Sequence, residues 1–236
     1  MEFRDRHVVV TGGTGALGSA VVGLLLEAGA ACHVPVRDLK DSRRFAHRGH
    51  DRVVLSPVPD LTDEAAVAAF YAALPELWAS IHVAGGFAMA PIGETDKAML
   101  QQQLDTNLVS AFLCCRAAVQ AIGQGGGKGG GGRIVNVAAR PALEWRQGAG
   151  MTAYTASKAA LAALTVALAQ EVAGQGILVN AVAPSIMDTP ANRAAMPKAD
   201  HSAWPKVEEV AATILHLASP ANQVARGAIV PVYGKA

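Results

Sequence analysis

Tyr154 and Lys158 stand one helical turn apart in the run YTASK, so on a helix both side chains project from one face. A phenol with a pKa of about 10 is a poor acid or base near neutrality. An ammonium beside it favours the phenolate and lowers that pKa, giving a proton donor with its own tuning charge. Taken alone, the pair reads more readily as a partly exposed aromatic next to a solvated Lys. A second feature is the run Thr11-Gly12-Gly13-Thr14-Gly15-Ala16-Leu17-Gly18, in which glycines 13, 15 and 18 fit GxGxxG. Glycine allows tight turning, and missing side chains let the backbone approach a pyrophosphate. A helix after the loop would add free N–H groups and the positive end of its dipole. A strand before that loop and a helix after it make dinucleotide binding the preferred reading.

Val36-Arg37-Asp38 falls where a second strand should end. A carboxylate there holds both ribose hydroxyls of NAD, whereas a guanidinium grips the 2′-phosphate of NADP. Arg37 comes first, so NADP(H) is favoured, and Asp38 keeps NAD(H) open. Asp60-Leu61, after a third strand, places a carboxylate within reach of an adenine amino group, or is a simple turn before a helix. The other glycine-rich segment, GGGKGGGG at 125–132, fails the Walker spacing: Ile122 stands where the first Gly should be, and Gly129 follows Lys128. It reads as a surface loop extended at little closure cost.

Positioning these groups requires strands alternating with helices. Continuous apolar, β-branched runs read as strands over 7–11, 31–36, 52–56, 81–84, 133–138, 177–183 and 228–232. Ala- and Leu-rich stretches read as helices over 16–28, 62–74, 95–122, 152–173 and 207–217. The fold class is therefore α/β: a single Rossmann-type doubly wound parallel sheet of about seven strands with helices on both faces. No linker or internal repeat divides 1–236, so one domain is expected, with the substrate site built from loops at about 139–154 and 185–206.

The 236 residues carry 20 Lys+Arg against 19 Asp+Glu, a net charge of +1. That balance excludes a strongly basic nucleic-acid coat or an acidic tail protein. At 51% hydrophobic and 17% charged, the chain can bury a large core, which excludes global disorder. The mean hydropathy is +0.27, yet no unbroken apolar run reaches about 18 residues, so no membrane span is expected. MEFRDRHVVVTGG runs straight into strand character and leaves no room for a signal peptide. Cys32, Cys114 and Cys115 show no metal-ligand spacing and read as reduced, apolar fillers. The expectation is a cytoplasmic protein with a small-molecule substrate and no nucleic-acid, membrane or metal partner.

Taken in order, Thr11-Gly12…Gly15…Gly18, Asp60-Leu61, Ala84-Gly85-Gly86, Asn107, the strand RIVNV, Tyr154…Lys158 and Asn180-Ala-Val-Ala-Pro184 with Thr189-Pro190 resemble the short-chain dehydrogenase/reductase family over essentially the whole chain. The resemblance implies hydride transfer between a nicotinamide cofactor and a carbonyl, alcohol or related group. It implies that Tyr154 donates the proton, that Lys158 holds the nicotinamide ribose and lowers the Tyr154 pKa, and that Asn107 supports a water linking Lys158 to solvent. Gly12, Thr14, Gly15, Leu17, Gly18, Arg37, Asp60, Leu61, Ala84, Gly85 and Gly86 become cofactor-binding candidates. Pro184, Ile186 and Thr189 would bracket the carboxamide and pyrophosphate.

The resemblance has departures. Ala16 replaces a loop glycine of the commonest spacing. His82-Val83 replaces the usual Asn-Asn, and His82 reads as a satisfied core histidine. Ala139 holds the position where the family places a Ser that hydrogen-bonds the substrate oxygen. Losing one donor to a developing oxyanion typically costs about 2.7–4 kcal/mol. The quinoid dihydropteridine reductase branch lacks that Ser. This chain resembles it in GGTGALGS, VAGGF, the run 139–143, Gly150-Met151 and DTPANRAAMPKADHSAW at 188–204, where a substrate lid is expected. The branch typically uses NADH with an acid at the end of the second strand, where this chain has Val36-Arg37.

The implied activity is reduction of a small carbonyl or conjugated imine, quinonoid dihydropterin among them. A general ketone or 3-oxoacyl reductase weakened by the missing Ser is the alternative. A non-catalytic NAD(P)-binding sensor or scaffold is the alternative of another class. Ala139, Arg140, Trp145, Met151, Met187 and Trp204, together with Met196, are expected to line a flat apolar substrate pocket. Thr152 is a hydroxyl close to Tyr154 in sequence. Small residues on the helices at 95–122 and 152–173 suit pairing between subunits, so a homodimer or homotetramer is expected.

Overall fold

Seven parallel strands form one sheet in the order β3-β2-β1-β4-β5-β6-β7. They are β1 (His7–Thr11), β2 (Ala31–Val36), β3 (Val53–Pro57), β4 (Leu77–His82), β5 (Gly132–Val137), β6 (Ile177–Pro184) and β7 (Ile229–Val232). The computed structural model describes residues 2–124 and 131–235, with Asp41 and Gln124 described by backbone alone. The glycine-rich run expected to be a surface loop therefore lies largely outside the described residues, and only its last glycine, Gly132, is seen as part of β5.

β1 shows why the sheet is buried on both faces. Val8 and Val10 join the core beneath α1 (Ala16–Glu27) and α7 (Val207–Ala218). Val9 joins the opposite core, beneath α2 (Glu64–Ala72), α4 (Ser110–Gln124) and α5 (Thr152–Glu171). All three valines are fully buried, and burying each stabilises the fold by roughly 1.5–3 kcal/mol. β1 pairs with both β2 and β4, so the strand order reverses between β1 and β4. In an open parallel sheet, ligands bind in the crevice that opens there, beyond the carboxyl ends of the strands.

β4 starts earlier than the apolar pattern suggests, because Trp78 and Ser80 are tied down by their own polar atoms. Trp78 Nε1 donates to Ala218 O at 3.0 Å, and Ser80 Oγ lies 2.7 Å from Tyr71 Oη. His82 is the satisfied core histidine that was expected. Its Nε2 lies 2.8 Å from Ser80 Oγ and its Nδ1 lies 2.8 Å from Asn136 Oδ1, and burial holds its pKa down at about 4. The three cysteines are free and buried, and burial pushes each thiol up to about 12.

The helix expected over 95–122 is interrupted. α3 (Lys97–Leu104) passes into a π-turn, Asp105–Val109, before α4 begins. Asn107 sits in that turn, fully buried. Such turns inside helices are frequent at functional sites. A short helix, α6 (Pro190–Ala195), lies in the segment after β6.

By length and composition alone, Lys97–Gly123 and Thr152–Glu171 could each cross a membrane, which the count of unbroken apolar residues did not anticipate. Both pack against the sheet, and each buries a polar group, Asn107 and Lys158.

Candidate active site

The crevice is a cleft of about 680 Å³ running from the Gly12–Gly18 loop, past the ends of β2 and β3, to Tyr154, Lys158 and the residues after β6. The glycine loop is shaped for close approach. Gly12 adopts φ +65°, and a Cβ there would lie 2.7 Å from Ala84 N. A Cβ on Gly18 would lie 2.1 Å from Gly12 O, so only glycine lets α1 start hard against the turn. The N-cap of α1, Gly15, offers no side chain to the first turn. Its free N–H groups therefore face the cleft, as an anion site requires. These residues fit a dinucleotide pyrophosphate.

Arg37 lines the cleft at the end of β2. Asp38 does not line it, and its Oδ1 accepts from Lys40 N at 2.8 Å. Asp60 and Leu61 line the cleft after β3. Asp60 Oδ1 also accepts from Thr62 N and Thr62 Oγ1, both at 2.8 Å, which holds its pKa below the usual carboxylate range. It is thus both a turn residue and a cleft residue.

Asn107 clamps the loop after β4. Its Oδ1 accepts from Gly86 N and its Nδ2 donates to Gly86 O, each at 3.0 Å. The same Nδ2 donates to Ser157 Oγ at 3.2 Å, and Ser157 Oγ donates to Tyr154 O at 2.7 Å. A Cβ on Gly85 would meet Asn107 Oδ1 at 2.8 Å and Lys158 Nζ at 3.3 Å, so that glycine brings the loop down onto both polar groups. Lys158 Nζ donates to Val137 O at 2.7 Å. These hydrogen bonds tie the loop after β4, the end of β5 and the π-turn to α5.

The expected lowering of the Tyr154 pKa is not found in this geometry. Burial pushes the phenol up to about 12 and the Lys158 ammonium down to about 8. Desolvation opposes the charged form of each group and is the cause of both shifts. Near neutrality the phenol keeps its proton, which is the form a proton donor needs.

Ala139 lines the cleft, nearly buried, and presents a methyl where a hydroxyl would serve an oxyanion. Thr152 does not replace it, because its side chain is exposed and lines a separate groove on the outer side of α5. Met187 and Pro184 line the cleft as expected.

Other expected residues lie elsewhere. Trp145 lines that outer groove and is 74% exposed, its Nε1 donating to Ala142 O at 3.1 Å. Trp204 is buried against His201, with ring centroids 4.6 Å apart, because the chain re-enters the fold there beside β-bridge Asp188–Lys206. Arg140 is held by Glu144, Nε to Oε2 2.8 Å, and covers the Tyr233 ring. Thr189 caps α6, its Oγ1 accepting from Asn192 N at 3.2 Å. Met151 forms the N-cap of α5, and Ile186 is half-exposed. None of these six lines the cleft.

Sequence reasoning did not single out Phe87, Thr106, Ser110 or Ser185, which do line it. Phe87 packs edge-on against Tyr154, with centroids 5.0 Å apart and planes at 83°. No local spacing marks a residue brought to the site from another loop.

Comparison with known proteins bears on the family of the chain. The profile of the family described as short chain dehydrogenase matches residues 6–200. The chain is 34% identical to a cis-4-hydroxycyclohexanecarboxylate dehydrogenase of Sinomonas cyclohexanicum, over 98% of this chain and 96% of that protein. It is 35% identical to a galactitol 2-dehydrogenase of Rhizobium johnstonii, over 96% and 93% of the two chains. A solved short chain dehydrogenase/reductase family protein superposes with a TM-score of 0.88 at 29% identity, covering 99% of this chain and 98% of the other. With glycine loop, buried Asn107 and the Tyr154–Lys158 pair around one crevice, the chain belongs to the short-chain dehydrogenase/reductase family and is an NAD(P)-dependent oxidoreductase.

Proposed function

We propose that this oxidoreductase reduces a small carbonyl or conjugated imine with NADPH, using Tyr154 as proton donor. The observation that carries the reading is the meeting of Tyr154, Lys158, the Asn107 clamp and the Gly12–Gly18 loop on one cleft. The nicotinamide, when bound, supplies the hydride. Tyr154, protonated near neutrality, delivers a proton to the substrate oxygen or nitrogen. Lys158, fixed by Val137 O, holds a ribose hydroxyl and restrains the phenol. Asn107 keeps the Ala84–Gly86 loop against the cofactor. Arg37 supports NADPH over NADH, because it faces the cleft while Asp38 turns back onto Lys40.

Ala139 favours a substrate that develops little localised oxyanion, since that wall offers no donor. A conjugated imine such as quinonoid dihydropterin meets that condition. A simple ketone or 3-oxoacyl substrate would react more slowly for want of the hydroxyl. We further propose a cytoplasmic homodimer or homotetramer acting on a small molecule. The buried free thiols suit a reducing compartment.

Steady-state turnover of ketones, aromatic aldehydes and quinonoid dihydropterin, with NADPH and with NADH, tests the reading. Tyr154→Phe is expected to lose about 10²–10⁴-fold in kcat while binding NADPH as the wild type does. Arg37→Ala is expected to narrow the preference for NADPH. Quinonoid dihydropterin consumed no faster than without enzyme would reject the imine. NADPH binding with no turnover across the panel would favour the sensor.

A further inference from the structure

Three loops at the carboxyl ends of neighbouring strands frame the mouth of the cleft: 83–96 after β4, 138–151 after β5 and 185–206 after β6. Among the described residues these loops hold six of the twelve exposed large apolar side chains: Phe87, Met89, Ile92, Leu143, Trp145 and Ile186. Of the six only Phe87 lines the cleft itself, and exposed apolar surface at such a place marks a site where something apolar binds. Some of the charged groups on the same loops are already paired, while Arg146 and Lys198 remain exposed. Arg140 pairs with Glu144, and Arg193 on α6 grips Asp188 through two hydrogen bonds of 2.5 and 2.7 Å.

Phe87 differs from the other five because it reaches the reacting group. It lines the cleft and packs edge-on against the Tyr154 ring, yet it remains 62% exposed. Most of its surface is therefore free beside the proton donor. Ala139 and Met187 line the same cleft with a methyl and a thioether chain. Because the two rings already touch, a planar group laid on Phe87 lies next to the Tyr154 ring.

We propose that Phe87 is the stacking wall of a subsite for a flat, uncharged aromatic or conjugated ring that bears the reducible C=O or C=N. This rests on the catalytic reading above and narrows its substrate class. Aromatic pairs gain from offset or edge-on geometry beyond their buried area, whereas a saturated ring gains only the area. The Phe87, Ala139 and Met187 side chains themselves offer a polyol or an anionic acyl carrier neither a hydrogen-bond partner nor a cation.

The test is binding rather than turnover. Protein saturated with NADP⁺ is titrated calorimetrically with naphthalene-2-carboxamide and with cyclohexanecarboxamide, two unreactive amides with the same polar group. Wild type is expected to prefer the naphthalene amide by about tenfold, the scale of one good aromatic contact. Phe87→Leu and Phe87→Ala are expected to lose that preference while NADPH affinity is unchanged. Both substitutions fall at an exposed position, and thermal melts check that the variants fold. No preference in the wild type, or a preference that survives in Phe87→Leu, overturns the stacking subsite. Should the preference hold while no carbonyl or imine is turned over, the subsite stands and the catalytic reading fails.

Discussion

Lys158 carries the residue-scale consequence of burying a charge. Its ammonium is 5% exposed and held at about 8, below the ordinary 10.5. Between those values the unfolded chain binds more protons than the folded one, so stability rises with pH there. The cost is fully present below about 8 and is relieved as pH approaches 10.5. Measured by denaturant unfolding, wild type is expected to gain roughly 2–3 kcal/mol relative to Lys158→Met between pH 7 and pH 10. Parallel pH slopes for the two proteins would refute the depressed pKa. The window ends at pH 10 because Tyr154, held at about 12, then adds an opposite trend: the unfolded phenol ionises while the folded one does not. The Tyr154–Lys158 spacing was legible in the sequence. The direction of the Tyr154 shift was not, because desolvation depends on what packs around the ring.

At the scale of elements, two helix starts do different work. α2 begins at Asp63, whose Oδ1 accepts from Ala65 N at 2.9 Å and Ala66 N at 3.1 Å. α1 begins at Gly15 without any side-chain cap, leaving its first N–H groups to the cleft. Asp63→Ala is expected to cost about 1 kcal/mol, lowering Tm by roughly 2–4 °C, with kcat and KM unchanged. Gly18→Ala forces a Cβ onto Gly12 O and is expected to weaken NADPH binding more than tenfold, read by fluorescence titration. Equal loss of cofactor affinity in both variants would contradict this division of labour. The π-turn at Asp105–Val109 was invisible in the sequence because its residues keep helical composition. The structure places in that turn the Asn107 clamp to Gly86 and Ser157.

Across the whole molecule, α4 and α5 leave apolar surface uncovered. Phe112 is 48% exposed and Val166 49%, and Ala156, Ala163 and Ala167 on α5 face outward. The groove beside Trp145 covers Thr155, whose Oγ1 is buried and lacks a hydrogen-bond partner. This face suits close helix pairing with a second copy. Light scattering coupled to size exclusion is expected to give a dimer or tetramer, and Val166→Glu a smaller species. A monomeric wild type at micromolar concentration would exclude the pairing.

The sequence by itself determined the alternation of strands and helices, the glycine turn and the Tyr154–Lys158 pair. Each is written in local spacing, and backbone geometry converts local spacing directly into structure. The tertiary structure decided which loops meet. It set Phe87 against Tyr154, removed Trp145 and Trp204 from the cleft, and turned Asp38 away while leaving Arg37 facing in. Those outcomes depend on contacts between residues far apart in the chain, and on burial that no short pattern encodes.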